Sequence, residues 1–152
     1  DVFVNGRLMK ELEKDLYTKL EQELIPAARD AFNKAYAPYS QFKVGAAALT
    51  STGKIVQGCN VENASYGLTV CAERNCINHA VISGEQSFQL IVIYTEQEKL
   101  TPPCGACRQA IAEFFDLSSP VISVNHKNDK KLWRVDELLP SAFTPKDLHN
   151  KT

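Results

Sequence analysis

Leu90-Ile91-Val92-Ile93-Tyr94-Thr95 is an apolar run of the kind found in strands covered on both faces, so it is expected at the centre of a sheet. Helices are predicted on either side of it, over Cys71 to Ile82 (stopping near Gly84) and over Cys104 to Phe115. Further out, Phe42 to Leu49 and Ile55 to Val61 flank Ser51-Thr52-Gly53-Lys54, which reads as a β-hairpin with glycine at the turn. Residues Glu62 to Val70 read as a loop of small and polar side chains. After the second helix, Val121 to Val124 and Leu132 to Val135 read as strands joined by a polar turn over Asn125 to Lys130. That turn is too short for a parallel connection, so these last two strands are expected to be antiparallel. A short helix, Asp136 to Leu139, and an irregular tail follow. At the other end Leu8, Leu12, Leu16, Leu20 and Leu24 form a helical stripe, read as a packing face or an oligomer contact. Pro26 is expected to end or kink this helix, a second one to run from about Pro26 to Tyr36, and Pro38 to stop it. The order α-β-β-α-β-α-β-β-α predicts an α/β fold, three layers α/β/α around a five-stranded mixed sheet.

A chain of 152 residues fits one domain and is long enough to bury a core without staples. A net charge of −1 and the lack of a Lys/Arg run argue against a nucleic-acid surface. No apolar stretch approaches the roughly 20 residues of a membrane span. Asp1 to Asn5 carries neither a basic nor an apolar leader pattern, and the odd set of five cysteines is not a disulfide framework. The expected compartment is the reducing cytoplasm.

Chemistry concentrates in Cys71-Ala72-Glu73 and, some thirty residues on, Pro103-Cys104-Gly105-Ala106-Cys107. Cys104 and Cys107 share one helix face, and Cys71 opens another helix. Helix starts favour the anionic thiolate. Three thiolates with one open position make a catalytic zinc site, and Arg74 would offset their excess negative charge. Glu73 lies close to such a metal without having to bind it, where a carboxylate can move a proton between water, a ring nitrogen and a leaving amine. A redox pair and a structural zinc site are the competing readings of the cysteines. Cys59 and Cys76 read as small buried hydrophobes, and His79, His126 and His149 as surface or packing residues.

At these residues the chain resembles the small homotetrameric zinc-dependent cytidine deaminases. The likeness runs through Tyr36-Ala37-Pro38-Tyr39-Ser40, Phe42-Lys43-Val44-Gly45-Ala46-Ala47 and Gly58-Cys59-Asn60-Val61-Glu62-Asn63-Ala64-Ser65-Tyr66. It continues in Cys71-Ala72-Glu73-Arg74, Pro103-Cys104-Gly105-Ala106-Cys107-Arg108-Gln109 and Glu137-Leu138-Leu139-Pro140-Ser141-Ala142-Phe143. The resemblance implies zinc held by Cys71, Cys104 and Cys107, with Glu73 as proton shuttle. It implies that Asn60 and Glu62 bind the ribose, that the Ala72 backbone meets the cytosine edge and that Phe42 packs on the base. Phe143 and Tyr66 would be contributed across subunit interfaces. Read without the resemblance, Asn60 and Glu62 are a polar strand end, and Phe42 and Phe143 are packing residues.

The chain departs from the family in having Pro102, where many members have serine, before Pro-Cys. A carbonyl remains there to receive the leaving amine, but no hydroxyl. About residues 24 to 149 carry the likeness, so residues 1–23 are expected to form an N-terminal helical extension and 24–152 the deaminase domain. The leading functional expectation is deamination of free cytidine or deoxycytidine, in a homotetramer that binds neither nucleic acid nor membrane. Deamination of a polynucleotide or of a cytosine antibiotic such as blasticidin S, and a non-enzymatic zinc module, are the alternatives.

Overall fold

The structure, a computed structural model, describes residues 12–149. Its centre is β3 (Phe88–Thr95), third in a five-stranded sheet of order β2-β1-β3-β4-β5, where β1 is Gly45–Thr50, β2 Ile55–Cys59, β4 Pro120–Asn125 and β5 Lys130–Arg134. The β1–β2, β1–β3 and β4–β5 pairs are antiparallel, whereas β3 and β4 run parallel. The link between that parallel pair contains α4 (Gly105–Phe114), long enough to cross over the sheet. The antiparallel ending follows the expectation from the short turn.

Strand alternation divides the core between the two faces. Ala46, Ala48, Ile91, Ile93 and Val121 face α3 (Ala72–Ile82) and α4, with Cys76, Ile77 and Ile111 from the helices. Ala47, Leu49, Leu90, Val92, Ile122 and Leu132 face the N-terminal helical stretch, which supplies Leu12, Leu20, Leu24, Ile25 and Ala28. These are the three layers read from the sequence.

The N-terminal stretch differs in detail from expectation. It comprises α1 (Lys14–Lys19), a wide π turn (Leu20–Leu24) and α2 (Ile25–Asn33), with helical dihedrals through each junction. Pro26 therefore does not end the helix. Lacking an amide hydrogen, it sits in the first turn of α2, and the preceding turn widens so that the Ile25 amide donates to the Leu20 carbonyl. The buried Lys130 ammonium ties the same turn to β5 through Glu21 at 2.8 Å. Leu8 of the predicted stripe lies outside the described residues.

Helix α2 stops at Asn33 rather than Tyr36, because Tyr36 is drawn into a bridge with Val61. Its amide donates to the Asn60 carbonyl at 3.0 Å and its carbonyl accepts from the Glu62 amide at 2.9 Å. β1 begins at Gly45 rather than Phe42, since residues 42–44 are held by a side chain described below. The strand expected to run to Val135 gives way one residue early to α5 (Val135–Leu138), and the supposedly irregular tail contains α6 (Pro145–His149).

Two glycines set how closely the helices approach. A Cβ on Gly45 would stand 2.0 Å from the Ala28 carbonyl oxygen, and one on Gly58 would stand 2.3 Å from the Cys76 nitrogen and 2.5 Å from the Ala72 oxygen. The second contact seats the first turns of α3 on β2. Gly58→Ala should therefore cost about 3 kcal/mol, the upper end for overpacking, because the opposing atoms are backbone and cannot rotate away. Chemical denaturation of the purified variant measures this, and a loss below about 1 kcal/mol would contradict the close-approach account.

Candidate metal centre and active site

The helices α3 and α4 begin at the same end of the sheet, beyond the carboxyl ends of β2 and β3. Cys71 is the N-cap of α3 and Cys104 the N-cap of α4, both in extended backbone just before the first helical residue. Cys107 lies one turn into α4 and is fully buried. The three sulfur atoms lie within 4.8 Å of one another, with Cys71 and Cys104 Sγ 3.8 Å apart. Among the described residues this is the one cluster of side chains suited to hold a metal ion.

The donors themselves test the fit. Three soft sulfur ligands gathered this closely suit zinc, and a fourth protein ligand is lacking among the described residues, which leaves one side open. Arg74 donates from Nη2 to Cys71 Sγ at 3.4 Å, so a fixed positive charge already faces the cluster. The Cys107 thiol hydrogen-bonds Cys71 and, with Arg74, holds the Cys71 thiol down at about 5 against the opposing effect of burial. Cys107 is driven the other way, by that same bond and by burial. Like groups at close range shift in opposite directions in this way because both do not ionise readily.

Glu73 is in the first turn of α3 and only 5% exposed. Burial, reinforced by the neighbouring Cys71 charge, pushes its carboxyl up to about 7. A carboxyl so placed changes protonation near neutral pH, which suits it to proton transfer in either direction.

One cavity of about 320 Å³ joins these groups to the predicted substrate residues, its wall including Phe42, Asn60, Glu62, Cys71, Ala72, Glu73 and Cys104. Phe42 is partly exposed at this wall. The Asn60 side chain is already engaged: Oδ1 accepts from the Val44 amide at 2.9 Å and Nδ2 donates to the Phe42 carbonyl at 2.8 Å. It replaces the ladder bonds that β1 would need to start at Phe42. Glu62 clamps the turn before that segment, accepting from the Tyr39 and Ser40 amides and from the Ser40 hydroxyl, which together hold its carboxyl below the usual range.

Two predicted residues stand apart. Tyr66 is 73% exposed and lines an adjoining hollow with Tyr39, Ser40, Glu62 and Thr69. Phe143 is 57% exposed and lies outside the cavity wall of its own chain, while its carbonyl accepts from Gln109 Nε2 at 2.8 Å. Cys76 is buried, bonds the Val56 carbonyl and has its thiol pushed up to about 12 by burial, so it is an inert packing residue. Cys59 is raised by burial as well.

Sequence reading missed the supports of the site. Ser40 links Glu62 to the Phe42 amide, and Asn75 Nδ2 donates to the Cys59 carbonyl at 2.8 Å, fastening α3 to the end of β2. An asparagine inside a helix, where its intrinsic preference is poor, was the available signal for Asn75.

Residues 18–122 match the family described as the cytidine and deoxycytidylate deaminase zinc-binding region. The chain belongs to this zinc deaminase family. A cytidine deaminase of Sporosarcina psychrophila is 46% identical over 127 residues, covering 84% of this chain and 93% of that protein. One of Halalkalibacterium halodurans is 43% identical over 129 residues, covering 85% and 98%. The crystal structure of a cytidine deaminase from Burkholderia pseudomallei superposes with a TM-score of 0.76 at 47% identity, covering 79% of this chain and 96% of that one. Family membership makes zinc the cofactor, and the three-sulfur cluster is the place among the described residues suited to hold it.

The two thiol populations should differ in reactivity. In metal-free protein at pH 6, above the value of about 5 for Cys71, iodoacetamide should label Cys71 more than about tenfold faster than Cys76, and zinc should protect it. Peptide mass mapping reads this directly; equal labelling of the two would contradict the electrostatic account.

Proposed function

We propose that the protein hydrolyses cytidine and deoxycytidine to uridine and deoxyuridine, releasing ammonia. The observation that carries this reading is the buried Glu73 carboxyl beside the three-sulfur cluster, both facing a cavity of nucleoside size. Cys71, Cys104 and Cys107 would hold zinc, which would supply the Lewis acidity that lowers the pKa of water toward neutrality. Glu73 takes a proton from the attacking water and delivers it to ring N3; it then takes the second proton, from the hydroxyl added at C4, and passes it to the amine, which leaves as ammonia while the C4 carbonyl forms. The Ala72 backbone and Phe42 orient the cytosine ring. Asn60 and Glu62 receive the sugar, with their clamp on residues 39–44 keeping that wall in place. Arg74 offsets the charge of the sulfur ligands.

The cavity volume and the net charge of −1 favour a free nucleoside over a polynucleotide, which would need a basic channel. We read the assembly as a homotetramer in which Tyr66 and Phe143 reach the sites of neighbouring subunits. Their exposure supports this, as does that of Tyr36, Tyr39 and Leu68. No described helix is long and apolar enough to cross a membrane, and working thiol ligands suit the reducing cytoplasm and a role in pyrimidine salvage. Residues 1–23 are read as an extension of the deaminase domain at 24–152; the described part of the extension packs on the sheet.

Glu73→Gln should retain zinc and fold but lose more than about 10⁴-fold in turnover, beyond an ordinary acid–base residue. Loss of the cytosine amino-group absorbance measures this with cytidine, deoxycytidine, cytidine monophosphate, blasticidin S and a short single strand. Near-normal turnover by the variant would overturn the role of Glu73, and preference for the strand or the antibiotic would overturn the substrate class. Phe143→Ala should weaken substrate binding, and exchanging its subunits with those of Glu73→Gln should restore activity in hybrids. Absence of restoration, with subunit exchange demonstrated by mass spectrometry, would exclude shared sites.

A further inference from the structure

The segment leading into Cys104 makes few hydrogen bonds, although Pro103 is buried. Pro102 and Pro103 have no amide hydrogens, so neither can donate to a neighbouring strand or turn. Among the described residues, the hydrogen bonds of Thr101–Pro103 are the Thr101–Thr95 hydroxyl pair at 3.3 Å and the bond from Arg108 Nε to the Pro103 carbonyl at 2.8 Å. The second acts next to the zinc ligand.

The other end of the guanidinium is anchored in the core. Arg108 Nη1 donates to the carbonyl of Leu138 at 3.0 Å, and Leu138 is the buried last residue of α5, packed in the same cluster as Ile111 and Val135. The backbone amide of Arg108 also donates to the Cys104 carbonyl at 3.0 Å. The Arg108 side chain therefore joins the Pro103 carbonyl, just before Cys104, to the end of α5, from a backbone position directly after Cys107.

We propose that Arg108 is a positioning residue for the metal centre: a strut that braces the Pro103 carbonyl against the end of α5 and so fixes the Cys104 sulfur relative to Cys107. A guanidinium suits this because its donors point in fixed directions in one plane, so two carbonyls held by it are also held relative to each other. A lysine has a single ammonium on a flexible stem and cannot brace both. The double proline sharpens the need, since a serine in place of Pro102 would bring an amide donor that this chain lacks. The inference rests on reading the three cysteines as zinc ligands.

The test uses the full chain loaded with zinc, and separately with cobalt(II), whose sulfur charge-transfer absorption reports ligand geometry. Arg108→Ala should release zinc to a chelator at least about tenfold faster than the parent and shift the cobalt band, as loss of a group orienting a ligand does. Arg108→Lys should fall between the two, and it carries the test if the alanine variant does not fold. Parental release rates and an unshifted band in the folded variants would overturn the proposal, even with a lowered melting temperature, because a purely structural role moves only the latter. A parent chain that shows no sulfur–cobalt band would refute the ligand reading, and this inference with it.

Discussion

Three thiols within 4.8 Å of one another impose the constraint around which the rest of the molecule is arranged. Like groups at that separation cannot all ionise in a partly buried site unless a cation joins them. The conflict shows in the thiols themselves, with Cys71 lowered, Cys107 raised and Arg74 donating to the Cys71 sulfur. A divalent ion bound there would remove the conflict and let all three bind as thiolates. The fold's task is to present the sulfurs together before the ion arrives. It does so by starting two helices at one end of the sheet, one seated on the bare backbone of Gly58 and the other entering the crossover between the parallel strands.

The proposed proton chemistry depends on a second balance. Glu73 lies in the first turn of a helix, where the backbone dipole favours a charged carboxylate. Burial opposes this, and with the Cys71 charge it prevails, so the group titrates near neutrality instead of in the usual acid range. A carboxyl that stayed ionised throughout would be a poor donor, and one that stayed protonated a poor base. The same wall of the cavity shows how polar residues support a site. Asn60 and Glu62 spend hydrogen bonds on residues 39–44, and the segment carrying Phe42 owes its position to them.

Much of this was legible in the sequence because the signals were periodic or chemically unusual. The apolar run at Leu90–Thr95 placed the central strand, the short 125–130 turn placed the antiparallel ending, and cysteines at two predicted helix starts placed the sulfur cluster. The misreadings have local causes. Of the two outcomes expected at Pro26, an end or a kink, the structure has no end: a widened turn absorbs the missing donor and the helix continues. Phe42–Val44 looked like strand because extended backbone held by a side chain has the same composition as backbone held by a ladder. The bonds from Asn75 to Cys59 and from Arg108 to Leu138 escaped notice because these carbonyls are distant in the chain, which no local pattern encodes.

X-ray absorption at the zinc edge of the purified protein tests the central claim most directly. The account predicts one zinc per chain with three sulfur neighbours and one lighter atom, reduced to two sulfurs when Cys104 is replaced by serine. Four sulfur neighbours would make the site a closed structural one, and a shell of nitrogen and oxygen alone would show that the cysteine cluster is not the metal centre.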